Sequence, residues 1–160
     1  MYFNTERLQP FEEARDSDFS YALFAQQKFQ EYGFKHLPAD MVEQLIASQY
    51  QVREKAYAQS YEDYRIIMII ANGKRVGCLR LGRPANQNGI RIVDITIAAE
   101  HQNCGYGSEA LRQVIHMAKQ NRQIVDLHVA KGSSALSLYS RLGFSVCAES
   151  ELQFHMKLVP

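Results

Sequence analysis

Between residues 17 and 58 the apolar positions recur at helical spacing, and from residue 64 they close up into short unbroken runs. The chain therefore reads as helices first and strands afterwards. The stretch LQPFEEA predicts a short strand, and Asp16 or Ser17 then caps a helix through about Tyr32 with Phe19, Ala22, Leu23 and Phe29 at helical spacing. Gly33 ends it, and Pro38 opens a second helix carrying Met41, Val42, Leu45, Ile46 and Tyr50 as far as Tyr57. YRIIMIIA at 64–71, the two-residue turn Asn72-Gly73 and KRVGCLRLG at 74–82 predict a hairpin. NQNG at 86–89 turns the chain into a third strand, IRIVDITIA at 90–98. A helix follows on SEALRQVIHMAKQN, with Leu111, Val114, Ile115 and Ala118 on one face, and IVDLHVA at 124–130 is a buried strand. Residues 90–130 thus form a β-α-β unit with parallel pairing. A helix at 134–142 and a hairpin on SVCAESELQFHMKL close the chain. The fold class expected is α+β: a mixed sheet in which antiparallel strands join a parallel β-α-β pair, with helices on both faces.

Length and composition narrow this further. At 160 residues, 46% hydrophobic and 22% charged, the chain suits one domain over 1–160 that needs no disulfide or metal staple. Cys78, Cys104 and Cys147 are far apart with no CxxC spacing, which argues against zinc and for a reducing, cytoplasmic setting. The N-terminal stretch lacks the apolar run of a signal peptide, and IIMIIA is too short to span a bilayer, so no membrane role is expected. Charge is unevenly spread. Residues 1–62 hold ten acidic and six basic side chains, and residues 63–160 hold seven acidic and twelve basic. Such a split suits a polyanionic ligand on the basic part and a neutral or cationic one on the acidic part. No basic cluster interleaved with aromatics marks a nucleic-acid face.

The segment with most chemistry is Gln102-Asn103-Cys104-Gly105-Tyr106-Gly107-Ser108, between a strand and a helix. Glycines let a backbone turn tightly and approach a ligand, and the helix start offers unpaired N–H groups at the positive end of its dipole. Phosphate or pyrophosphate fits such a place. Residues 105–110 also read G-x-G-x-x-A, a dinucleotide fingerprint, with Asp126 at the distance of its ribose-binding acid. Asp126 lies inside its strand, however, and an antiparallel hairpin precedes the loop.

Residues 133–144, SSALSLYSRLGF, add a second block. Gln102, Gly105 and Gly107 match Q/R-x-x-G-x-G/A, and Ala135, Leu138, Tyr139, Gly143 and Phe144 match N-x-A-x-x-L-Y-x-x-x-G-F. The chain here resembles the GNAT superfamily of N-acetyltransferases over about 100 residues, and more loosely over the paired helices. Ser133 stands where the family has Asn.

The resemblance implies an acetyl-CoA-binding core at about 64–158 and a helical acceptor-side segment at about 17–58. It implies acetyl transfer from acetyl-CoA, as co-substrate and without a metal, to a primary amine in a ternary complex. Main-chain groups of Ile97, Ala98 and Ala99 would hold the pantetheine arm and backbone N–H groups of Asn103, Cys104, Gly105, Tyr106, Gly107 and Ser108 the pyrophosphate, with Gln102 opening the same cofactor loop and Ser133, at the family's Asn position, on the pantetheine side. Tyr139 stands at the position of the general acid, its other reading being a core aromatic. Asp94 is a candidate base, or else a salt-bridged strand residue. Gln49, Tyr50, Tyr57 and Tyr61, with Tyr64, would line an acceptor pocket unless they are helical core. His128 reads as a core histidine, His101 and Glu100 as surface residues, and Cys104 as no nucleophile for want of a His partner. Two other classes stay open: a non-catalytic acetyl-CoA sensor and a small nucleotide-binding oxidoreductase. The acceptor is a small molecule or a protein amine, and the chain a monomer or homodimer.

Overall fold

The computed structural model describes residues 5–160. Strand β1 (Leu8–Pro10) leads into helices α1 (Glu13–Tyr32) and α2 (Ala39–Ser60). Strands β2 (Arg65–Ala71), β3 (Lys74–Gly82) and β4 (Gly89–Ile97) follow, then a 3₁₀ turn at Ala99–His101 and helix α3 (Tyr106–Gln120). Strand β5 (Ile124–Ala130), helix α4 (Leu136–Arg141) and strands β6 (Ser145–Glu149) and β7 (Gln153–Leu158) complete it. The strands form one sheet in the order β1-β2-β3-β4-β5-β7-β6. Only β4 and β5 run parallel; the other neighbours are antiparallel. The mixed α+β sheet expected from the sequence is therefore present, and so is the turn at Asn72 (φ 50°) and Gly73 (φ 73°), whose paired positive φ values match the twist of a hairpin. The closing hairpin is also there, but its second strand inserts between β5 and β6, an order that hydropathy does not encode.

Helix α3 buries Ala110, Leu111, Val114, Ile115 and Ala118 against Ile67, Ile69, Leu79, Leu81, Ile92, Val125 and Leu127 on one face of the sheet. Tyr139 and Phe144 extend the same cluster. On the opposite face Leu23 of α1 packs on Met68, Ile70 and Cys78, while Phe24, Val42 and Ile46 join α1 to α2.

The first helix starts earlier than the expected cap. It begins at Glu13, and Asp16 lies in its first turn, where its carboxylate accepts the Glu12 N–H at 2.9 Å. An acceptor reaching back from within the turn satisfies one orphan donor and complements the dipole, so no cap at Asp16 or Ser17 is needed. Asp16 is fully buried and also receives Arg15 (2.8 Å) and Arg75. Burial alone would raise its pKa, but Arg15, the Glu12 N–H and Arg75 outweigh that and bring it to about 2. A carboxyl depressed in the fold stabilises it above its unfolded pKa and loses that contribution as pH falls through the folded value. Asp16→Asn is accordingly expected to cost roughly 2 kcal/mol at pH 7 and much less near pH 2. Denaturant unfolding at both pH values checks this; an equal loss at each would contradict it.

Two irregularities shape the middle of the sheet. Arg80 pairs with Asp94 and Leu81 with Ile92, so Val93 bulges and Arg91, Asp94 and Thr96 share the face that carries Arg80. The parallel pairing of β4 with β5 runs only from Gly89↔Ile124 to Ile92↔Leu127. Both strands continue past that point, β4 to Ile97 and β5 to Ala130, without pairing to each other. The sheet opens there into a wedge.

Candidate active site

The loop that enters α3 sits at the mouth of this wedge. Asn103 (φ 59°) and Gly105 (φ 85°) turn it through the left-handed region. Glu109 N–H is the donor to Gly105 O, so the N–H groups of Tyr106, Gly107 and Ser108 precede the first α-helical hydrogen bond. These donors and the helix dipole fit an anion. Gly107 has a different part from Gly105. Its φ is not positive, and an added Cβ would lie 3.6 Å from the Ile97 side chain, an ordinary contact. Its lack of a side chain leaves space along β4.

The edge of β4 is the wedge's polar wall. Ala98 N–H donates to Val76 O at 2.9 Å, and Thr96 and Asp94 stand opposite Cys78 and Arg80. Alternation along an antiparallel ladder then turns the main-chain groups of Thr96 and Asp94 to β3 and those of Ile95 and Ile97 to the opening. Gln102 Nε2 donates to Ile97 O at 3.0 Å, so its side chain braces β4 from the loop. Ala98 and Ala99 are otherwise engaged. Ala98 N–H is used by Val76, Ala99 N–H donates to Gln26 Oε1 at 3.1 Å, and their carbonyls accept from His101 and Gln102. Of the three residues expected to hold a pantetheine arm, Ile97 alone turns a main-chain group that no side chain takes, its N–H, to the wedge. Ile95 joins it, unforeseen because edge parity depends on the partner strand. Ser133 Oγ accepts the Ala135 N–H at 3.1 Å and so secures the entry to α4.

Tyr139 projects from α4 into the core, 8% exposed, with its ring edge-on to Phe144 at 5.9 Å. Burial raises its pKa and the charge of Asp94 raises it further. Its phenol stays protonated at neutral pH, as a proton donor must. Asp94 acts on it although it belongs to the other face of the sheet.

On that other face Asp94 Oδ2 accepts from Thr96 Oγ1 at 3.1 Å and lies 3.6 Å from Arg80 Nη1. Arg80 is 2% exposed. Its Nη2 meets Glu54 Oε1 at 2.8 Å and Ser20 Oγ at 3.0 Å, its Nη1 meets Cys78 Sγ at 3.4 Å, and its Nε has no partner among the described residues. Burial opposes the guanidinium charge, but Cys78, Glu54, Tyr64 and Asp94 together raise its pKa. Tyr64 donates to Glu54 Oε2 at 3.3 Å. Burial pushes the Cys78 thiol up to about 11, so no thiolate is available there. Arg80 and Glu54 were not singled out from the sequence; an arginine within a strand otherwise as apolar as KRVGCLRLG was the available signal.

The tyrosines divide. Tyr57 lies 6.1 Å from Tyr61 and 6.0 Å from Tyr64, ring centre to ring centre, and burial followed by the Asp94 charge raises the Tyr57 pKa. Tyr61 packs on Gly82, where a Cβ would come within 2.9 Å of its side chain. These three form one aromatic group at and just beyond the end of α2. Tyr50 does not join them: its hydroxyl bonds Ser20 Oγ at 2.9 Å and its ring packs on Tyr21 and Phe24, so it belongs to the α1–α2 interface. Gln49 is exposed, one position away on that helix.

Asp126 is no ribose ligand. It is 1% exposed and held by Arg91 Nε (3.0 Å), Arg91 Nη2 (2.6 Å) and His155 Nε2 (2.8 Å). His128, expected in the core, is exposed, paired across to His155 of β7 but without a β4 partner. Glu100 is exposed as expected, Cys104 is exposed too, and His101 rests against Tyr106 at 6.2 Å. Among the described residues no group of three or more His, Cys, Asp or Glu is placed to hold a metal, and no helix is long and apolar enough to cross a membrane.

A mixed sheet split at its single parallel pair, with a glycine-bent helix start at the mouth, is the architecture shared by a large class of acyl-transferring enzymes. The family model for the acetyltransferase (GNAT) family matches residues 11–144, and the chain belongs to that family. Among solved structures it is similar to the PaiA N-acetyltransferase of Thermoplasma acidophilum in complex with coenzyme A, at 18% identity and a TM-score of 0.69, covering 96% of this chain and 98% of that one. A Bacillus subtilis acetyltransferase in complex with CoA gives 18% and 0.64, with 96% and 98% covered. The ribosomal-protein-alanine N-acetyltransferase of Brucella melitensis gives 16% and 0.63, with 96% and 99% covered. No curated protein matches the chain.

Proposed function

We propose that this chain transfers the acetyl group of acetyl-CoA to a primary amine by direct attack within a ternary complex. The observation that carries the reading is the wedge itself. It sets the free N–H groups of α3 beside the edge groups of Ile95 and Ile97, with Tyr139 buried on the α3 face of the sheet and Asp94 on the other face. The residues fit the cofactor: a pyrophosphate suits the N–H groups of Tyr106, Gly107 and Ser108, and an extended amide-bearing arm suits an unpaired strand edge. When bound, acetyl-CoA supplies the activated acyl group. A main-chain N–H on the β4 edge would meet the charge that develops on the thioester oxygen, and Tyr139 would hand its proton to the departing thiolate.

The acceptor enters from the α2 side. Tyr57, Tyr61 and Tyr64 form an aromatic group that carries Glu54 at Tyr64 and feels Asp94 at Tyr57, which suits a cationic amine: ring faces attract an ammonium and carboxylates raise its local concentration.

Calorimetry with acetyl-CoA on two variants tests the cofactor half. Gly105→Val places a β-branched residue at φ 85° and is expected to weaken binding 10-fold or more. Gly107→Ala, whose methyl finds ordinary contact distance, is expected to keep the fold and so separates steric filling of the wedge from loss of structure. Unchanged affinity in a folded Gly105→Val protein would remove the cofactor assignment.

A further inference from the structure

We propose that His128 is the general base that takes the proton from the attacking amine, and that His155 is its positioning residue, fixed by Asp126 and Arg91. This deepens the transferase reading and rests on it. In the parallel register Ile92 stands opposite Leu127, the last pair before the wedge opens. His128 is therefore the first residue of β5 beyond the pairing, on the strand that faces β4 across the opening. Asp126 meets Arg91 on the sheet face that carries Asp94, and His128, two residues on, has the same parity. The imidazole thus stands on the acceptor side, opposite the face from which Tyr139 is supplied, and it is solvent-exposed.

Its support is built across three strands. His128 stacks on His155 with ring centres 4.4 Å apart and planes 17° apart. An ionised carboxylate only accepts hydrogen bonds, so the 2.8 Å contact with Asp126 Oδ2 places a proton on His155 Nε2 and fixes that ring. Arg91 locks the carboxylate from β4. The charged groups on this face are Arg91 and Asp94 from β4, Asp126 from β5 itself, and His155 and Lys157 from β7, Lys157 reaching away to Gln87. Partial desolvation against its neighbours, His155 and Arg91 lower the His128 pKa while Asp126 opposes them, so the exposed ring is neutral and able to accept a proton at pH 7. Asp94, by contrast, is already engaged by Thr96 and Arg80.

The balance closes with these groups. The amine nitrogen bonds to the thioester carbon and its proton passes to a His128 ring nitrogen. The carbon–sulfur bond breaks, the sulfur receives the Tyr139 proton, and the two side chains return to their starting states by exchange with water.

The test is the pH profile of kcat/KM with acetyl-CoA and putrescine, tyramine and trialanine as acceptors. Wild type should show an acid limb with a midpoint below about 6.5. His128→Gln should lower kcat about 100-fold and abolish the limb while acetyl-CoA affinity holds. His155→Gln should keep the limb but move its midpoint up, since His155 depresses the His128 pKa. Turnover within twofold of wild type in His128→Gln, or a limb that survives it unmoved, overturns this assignment alone. Wild-type protein inert toward all three amines overturns the transferase reading and the assignment with it.

Discussion

Tyr139→Phe is expected to lower kcat about 100-fold on the best amine acceptor while acetyl-CoA affinity stays within twofold. General acid catalysis contributes about 10²–10⁴-fold, and a thiolate is a good enough leaving group to place this step at the low end. The ring is retained, so the edge-on packing against Phe144 and the burial of α4 survive. Only the proton donor is lost. The variant protein should also lose any alkaline limb set by the phenol, whose pKa burial and Asp94 raise. Steady-state kinetics with calorimetry separates the two effects. A kcat within twofold of wild type would make Tyr139 a packing residue.

Arg80→Met should destabilise the fold by about 3 kcal/mol or more, because it strips a buried cation from between two carboxylates. Glu54 and Asp94 would keep their charges in a site where Arg80 is 2% exposed, and Ser20 Oγ and Cys78 Sγ would each lose a donor. Arg80 also ties α2, through Glu54, to the strand that carries Asp94. Arg80→Lys restores the charge without the fork geometry and should recover part of the loss. Chemical denaturation of the three proteins reads the order directly; a Met variant as stable as wild type would mean the network contributes nothing to the fold.

Element types were legible from local pattern. The Asn72-Gly73 hairpin, the β-α-β unit and the amphipathic α3 each follow from residues close together in sequence, and the glycine loop with the Tyr139 segment pointed to the family. Long-range facts were not legible. That β4 and β5 part after Ile92 and Leu127 depends on the Val93 bulge and on how both strands twist, neither of which has a local signature. The same holds for Arg80, whose meaning lies in Glu54 and Asp94, 26 and 14 positions away along the chain. Tyr50 and Tyr57 sit seven positions apart on one helix, yet one bonds Ser20 and the other packs on Tyr61 and Tyr64. His128 reads as core because its strand alternates with apolar neighbours, yet it is exposed just past the end of the β4–β5 pairing.

The most direct test of the central claim is to incubate the protein with acetyl-CoA and a panel of primary amines, following free thiol and the mass of each amine together. The account predicts thiol release that depends on the amine, with each thiol matched by one acetyl group on the amine, and cationic acceptors ahead of acidic ones. Acetyl-CoA that binds tightly at the wedge yet releases no thiol to any amine would contradict it.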